Sequence, residues 1–110
     1  MIRDEEIDRA LAYLRDSADE AAKKRATRIY LDEYTRALRA TIMSEHLAEA
    51  VNAQERYANS DIRYKNHLEA LRAAIFEDEK ARYLREAATV KVEVWRSQQA
   101  NARMQDKLHV

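Results

Sequence analysis

The chain is 110 residues long, with 20 basic and 20 acidic side chains and no glycine, proline or cysteine. Without Gly or Pro it lacks the residues suited to positive-φ turns and fixed bends, so tight hairpins, phosphate-cradling loops and dinucleotide fingerprints are excluded; without Cys, so are disulfides, zinc–thiolate sites and thiol catalysis. Zero formal net charge argues by itself for neither nucleic acid nor membrane, and the dominance of good helix formers points to an all-α protein of long, coiled-coil-like helices.

The first element is expected over about residues 4–15. Ile7, Leu11 and Leu14 recur at helical spacing, and Asp4, Glu5 and Glu6 suit the positive end of a helix dipole. Residues 1–6 are acidic and carry no apolar h-region, which does not read as a signal peptide. Ser17 and Glu20 then fit a capping box, so the chain either restarts here or continues as one helix.

A second helix is expected over about 18–50. Leu31, Tyr34, Leu38 and Ile42 form its main stripe, with Ile29, Met43 and Leu47 roughly opposite at about 100° per residue. Residues 51–61 read as a loop, within which Asn52 and Glu55 could cap a single turn; Asn59, Ser60 and Asp61 are the densest capping cluster.

The last helix is expected over about 62–104. Tyr64, Leu68, Leu71 and Ile75 make a first stripe. Phe76, Tyr83, Ala87, Val90 and Val94 make a second, rotated by roughly 90° at about 100° per residue, which predicts a change of packing face near Ile75–Glu79. The expected architecture is a single helical domain over 1–110. It is a long antiparallel helical hairpin with a short additional N-terminal helix. The fourth segment outruns its cover, so Tyr83, Ala87, Val90 and Val94 are candidates for self-association in a homodimer or higher homo-oligomer.

Chemistry finds little purchase. His46, His67 and His109 show no metal-ligand spacing and read as helix-surface histidines. Glu77, Asp78 and Glu79 fan around a helix and do not converge on one ion. The serines lack a glycine-rich elbow. No catalytic residue, metal site, cofactor or small-molecule substrate is expected, and no apolar run approaches the ~20 residues of a membrane span.

Charge is segregated along the chain: residues 1–20 hold three basic and seven acidic groups, 21–40 six and two, and 81–110 six and three. Basic stripes neutralise phosphates, and an aromatic beside them can stack an unpaired base. The nucleic-acid-binding candidates are therefore Lys23, Lys24, Arg25 and Arg28, then Arg82, Arg85, Trp95, Arg96 and Arg103. The competing reading makes these ordinary solvent-face cations paired at i±4, as Glu86 could pair with Arg82.

The runs Tyr30-Leu31-Asp32-Glu33-Tyr34, Tyr64 to Leu71, and Trp95-Arg96-Ser97-Gln98-Gln99-Ala100-Asn101 resemble small all-helical proteins of tailed phages and prophages, over about residues 5–103. The resemblance implies a gene in a recombination or replication module and a place in the cytoplasm of a bacterial host. It also implies a non-enzymatic accessory role that engages single-stranded DNA, a recombination protein, or both. It transfers no catalytic residue. The alternative is a structural or adaptor protein working only through protein–protein contacts.

Overall fold

A computed structural model describes residues 1–109. Among them the chain forms four helices and no strand: α1 (Asp4–Asp16), α2 (Ala18–Ser44), α3 (Val51–Ser60) and α4 (Ile62–Leu108). No helix among the described residues is long and apolar enough to cross a membrane. The described residues group into two compact units, Met1–Ala21 with the chain from Lys80 onward, and Ala22–Glu79.

In the first unit, α1 runs antiparallel to the distal part of α4. Trp95 Nε1 donates to Asp4 Oδ1 at 3.4 Å and Arg85 Nη1 to the Leu14 carbonyl at 2.7 Å, so numbering rises on one helix as it falls on the other. The inward residues are Ile7, Ala10, Leu14 and Ser17 from the N-terminal side, and Ala81, Arg85, Ala88, Val92, Trp95 and Gln99 from α4. They alternate by three and four, the coiled-coil seam, and the alanines among them let the backbones approach closely. At the start of α1, the Arg3 backbone N–H donates to Glu6, which holds that carboxyl below its usual pKa. Between α1 and α2 the helical ladder continues on both sides of Ser17: Ser17 N–H donates to Tyr13 O and Ala21 N–H to Ser17 O, both at 2.9 Å. The junction is thus a slight irregularity at one residue.

In the second unit, α2 and α4 form the antiparallel hairpin, with Lys24, Arg28, Leu31, Thr35, Leu38 and Ile42 turned toward Tyr64, His67, Leu71, Ala74 and Asp78. Again the spacing is three and four. Leu38, fully buried Ile42 and Ala58 make the core, with Met43 and Tyr64 packed against it.

Four expectations are corrected. The segment expected as a loop over 51–61 is the helix α3, and Ala58 supplies the core from it. Its N-cap is Ala50 with extended backbone, so Asn52 lies inside the helix and does not cap it. Second, α2 stops at Ser44 and does not reach residue 50. Ser44 Oγ bonds back to Thr41 O at 2.6 Å, and Glu45 and His46 N–H groups take i−3 carbonyls, tightening the end into turns. Third, the expected second packing stripe of α4 is not a packed face within the chain: Phe76, Tyr83, Ala87, Val90 and Val94 are all exposed. Fourth, His67 is not a surface residue: it is 8 % exposed.

Asp61 does cap, as its neighbours suggested. It ends α3 and its Oδ1 accepts the Arg63 N–H at 2.8 Å at the start of α4.

Candidate interaction surface

The seams contain polar groups where a simple coiled coil has aliphatic ones, and each is satisfied inside its own unit. His67 Nε2 lies 2.8 Å from Thr35 Oγ1, which is also 3.2 Å from the Leu31 carbonyl. One proton assignment serves both contacts: the hydroxyl donates to Leu31 O and accepts from His67 Nε2–H. The Tyr34 ring tilts over the imidazole at 5.7 Å. His46 stacks on Tyr57 at 3.9 Å. Both imidazoles are thereby committed to packing. Among the described residues no group of three or more His, Asp or Glu could hold a metal ion.

The same economy governs the basic residues chosen from sequence. Arg28 Nη1 donates to Glu79 at 2.8 Å and Asp78 at 3.1 Å, and these two carboxylates raise its pKa. Lys24 Nζ lies 3.5 Å from Glu77. Lys23 is exposed on the outer face of α2 and also has an interaction of its own. Arg85 is half-buried in the α1–α4 seam, with Nη1 at 2.7 Å from both the Leu14 carbonyl and Ser17 Oγ. Arg82 lies 3.5 Å from Glu86 and over the Tyr83 ring at 5.0 Å. Trp95 is half-buried, its indole N–H turned to Asp4.

Arg25, Arg96 and Arg103 differ. All three are exposed, and no ion pair or hydrogen bond holds their side chains among the described residues. Arg96 and Arg103 are seven residues apart on α4, two helical turns, and so share a face. Of the nine candidates, the structure thus leaves three side chains unheld: Arg96 and Arg103 in a short row on the distal part of α4, and Arg25 on α2.

The self-association candidates do come together. Tyr83 is 61 %, Val90 55 % and Val94 42 % exposed, and Ala87 is exposed between them. They form an apolar stripe along one exposed face of α4, outside the seam with α1. Beside it, Ala10 and Tyr13 of α1 with Leu84, Ala87, Ala88 and Lys91 of α4 line an open groove of about 340 Å³, flanked by Glu6 and Arg9. The stripe was legible from its spacing. The groove was not, because it exists only where α1 lies along α4; the signal in the chain is the four-then-three spacing of Leu84, Ala88 and Lys91.

A comparison with known proteins finds no matching family model, no similar curated protein and no similar solved structure.

Proposed function

We propose that the chain is a non-enzymatic accessory protein of phage or prophage recombination and replication, acting as an adaptor through protein–protein contacts. One observation carries the adaptor half. A continuous apolar stripe of Tyr83, Ala87, Val90 and Val94 stands exposed on a helix whose opposite side is already packed. A row of large apolar side chains on a helix face is a protein-binding feature. The commitment of Lys24, Arg28, Arg82 and Arg85 to partners within the chain supports the same reading. The recombination half comes from the sequence resemblance. Homo-oligomerisation belongs to this proposal, as does action in the host cytoplasm.

The test measures how fast a purified single-strand annealing protein pairs complementary oligonucleotides with and without the chain. Wild type is expected to change the rate. Val90→Asp is expected to lose the effect, while Arg96→Glu with Arg103→Glu keeps it. An unchanged rate with wild-type chain would remove the recombination role; loss only in the arginine variant would transfer the activity to the basic row.

A second reading, direct contact with single-stranded DNA, is favoured by one observation: Arg96 and Arg103 share a face and are unpaired among the described residues.

A further inference from the structure

The exposed stripe has an order beyond being apolar. From Tyr83 the outward residues of α4 run Tyr83, Ala87, Val90, Val94, Ser97, Asn101, Met104, Leu108, in strict steps of four and three. All of them are exposed. In a heptad labelled a to g, a four-step leads from d to a and a three-step from a to d, so the spacing fixes the register. Ala87, Val94, Asn101 and Leu108 hold a, and Tyr83, Val90, Ser97 and Met104 hold d. This register is separate from the inward seam of Ala81, Arg85, Ala88, Val92, Trp95 and Gln99, which α1 already covers.

The flanks carry orientation. Glu86 and Glu93 fall at g, seven residues apart, and Leu84, Lys91 and Gln98 at e. In a parallel pair of helices, g of one faces e of the next heptad on the other, five residues on. Glu86 then meets Lys91 and Glu93 meets Gln98, each twice by symmetry. In an antiparallel pair g faces g, and the glutamates meet each other. The polar a positions agree. A single Asn at a pairs with its own counterpart in parallel two-stranded coils and fixes register at some cost in stability; Asn101 holds that position, and Lys80 holds the a position preceding Ala87.

We propose that the occupant of this stripe is a second copy of the chain, with the α4 helices parallel and in register along residues 80–108. This rests on the reading of the stripe as a protein-contact surface, and it names the partner. The β-branched Val94 at a and Val90 at d supply the apolar contact. Glu86 and Lys91 of the second copy choose the direction. The steps through Ser97 and Asn101 make the pairing specific and reversible.

The chain has no cysteine of its own, so single introduced thiols report pairing cleanly. Ala87→Cys and Asn101→Cys, made separately in the full chain, are each expected to give disulfide-linked dimers on mild oxidation. An antiparallel pair brings at most one of these positions onto its own counterpart. In analytical ultracentrifugation of the full chain without other proteins, wild type is expected to dimerise at micromolar concentration. Lys91→Glu is expected to weaken the dimer about tenfold, and the exchange Glu86→Lys with Lys91→Glu to recover it. Val90→Asp is expected to be monomeric with unchanged helix content by circular dichroism, which separates lost pairing from lost folding. A wild-type monomer across that range, a disulfide at only one position, or no recovery in the charge exchange overturns the proposal. The pairing is read on the chain alone, and the adaptor role on the annealing rate with and without wild-type chain, so failure of the pairing and failure of the adaptor reading are told apart.

Discussion

Arg63 makes four side-chain hydrogen bonds to two carboxylates. Its Nη1 and Nη2 grip Glu45 at 3.1 and 2.6 Å, while Nε and Nη2 hold Asp61 at 3.0 and 2.9 Å. One guanidinium thus ties the turn after α2 to the α3–α4 junction. The Arg63 side chain first, then its backbone N–H, lowers the Asp61 pKa to about 2; the same guanidinium lowers that of Glu45. Both groups are depressed on folding, so both stabilise the native chain in their ionised form. For Asp61 the contribution is complete above the unfolded carboxylate range, about pH 4, and is lost as pH falls toward 2. A carbon-13 carboxyl titration is expected to show Asp61 with its midpoint near 2, returning to the ordinary range in Arg63→Gln. An ordinary midpoint in wild type would show that the clamp does not form in solution. Single residues also mark what periodicity hides. In the sequence His67 lies beside the stripe of Tyr64, Leu68, Leu71 and Ile75 and has no metal-ligand spacing, so it reads as a surface histidine. Its partner, Thr35, lies 32 residues away, and no spacing within one helix reports it.

At the scale of elements, the long helices were legible because their evidence accumulates over many turns. The start of α1 follows from its acidic first turn and that of α4 from the Asp61 cap, whereas the Ser17–Glu20 pattern marks only a slight irregularity in a continuing ladder. α3 was not legible, for a physical reason: its buried residues are Ala58 and Gln54, and Gln54 satisfies itself by donating to the Glu49 carbonyl at 2.9 Å. Neither gives a hydrophobic signal, and the asparagines around them suggest a turn. Yet the core depends on this helix, since Ala58 closes over Ile42. Ile42→Ala opens a cavity beneath α3 and is expected to cost ~2–5 kcal/mol in chemical denaturation. Amides of residues 51–60 are expected to lose hydrogen-exchange protection with it. A loss below ~1 kcal/mol would mean that the site collapses onto the missing methyl groups and that α3 is not held by them.

For the molecule as a whole, the balance of charge conceals how it is spent. The segregation along the chain, acidic over residues 1–20 and basic over 21–40 and 81–110, suggests a surface for phosphates. Folding brings Lys24 and Arg28 to Glu77, Asp78 and Glu79, and Arg85 to the α1 carbonyl end, so much of that basic charge is neutralised or buried internally. One-dimensional charge counting could not anticipate this, because the acidic partners lie some 50 residues downstream. The consequence is measurable. A protein that neutralises Z phosphates of single-stranded DNA shows log Kobs falling with log salt at a slope of about −0.7Z. Arg25, Arg96 and Arg103, the three cations left unpaired among the named candidates, would together give Z of about three and a slope of about −2. Fluorescence anisotropy with labelled oligonucleotides over a salt series reads this directly. Arg96→Glu with Arg103→Glu is expected to flatten the slope by about 1.4, two phosphate contacts. Reversal at Arg28 is expected to lower thermal stability and leave the slope in place, because that guanidinium is held by Glu79 and Asp78. A slope near −6, the value for all eight cations named from sequence, would mean that the internal ion pairs open on binding and that DNA contact is a main function of the chain.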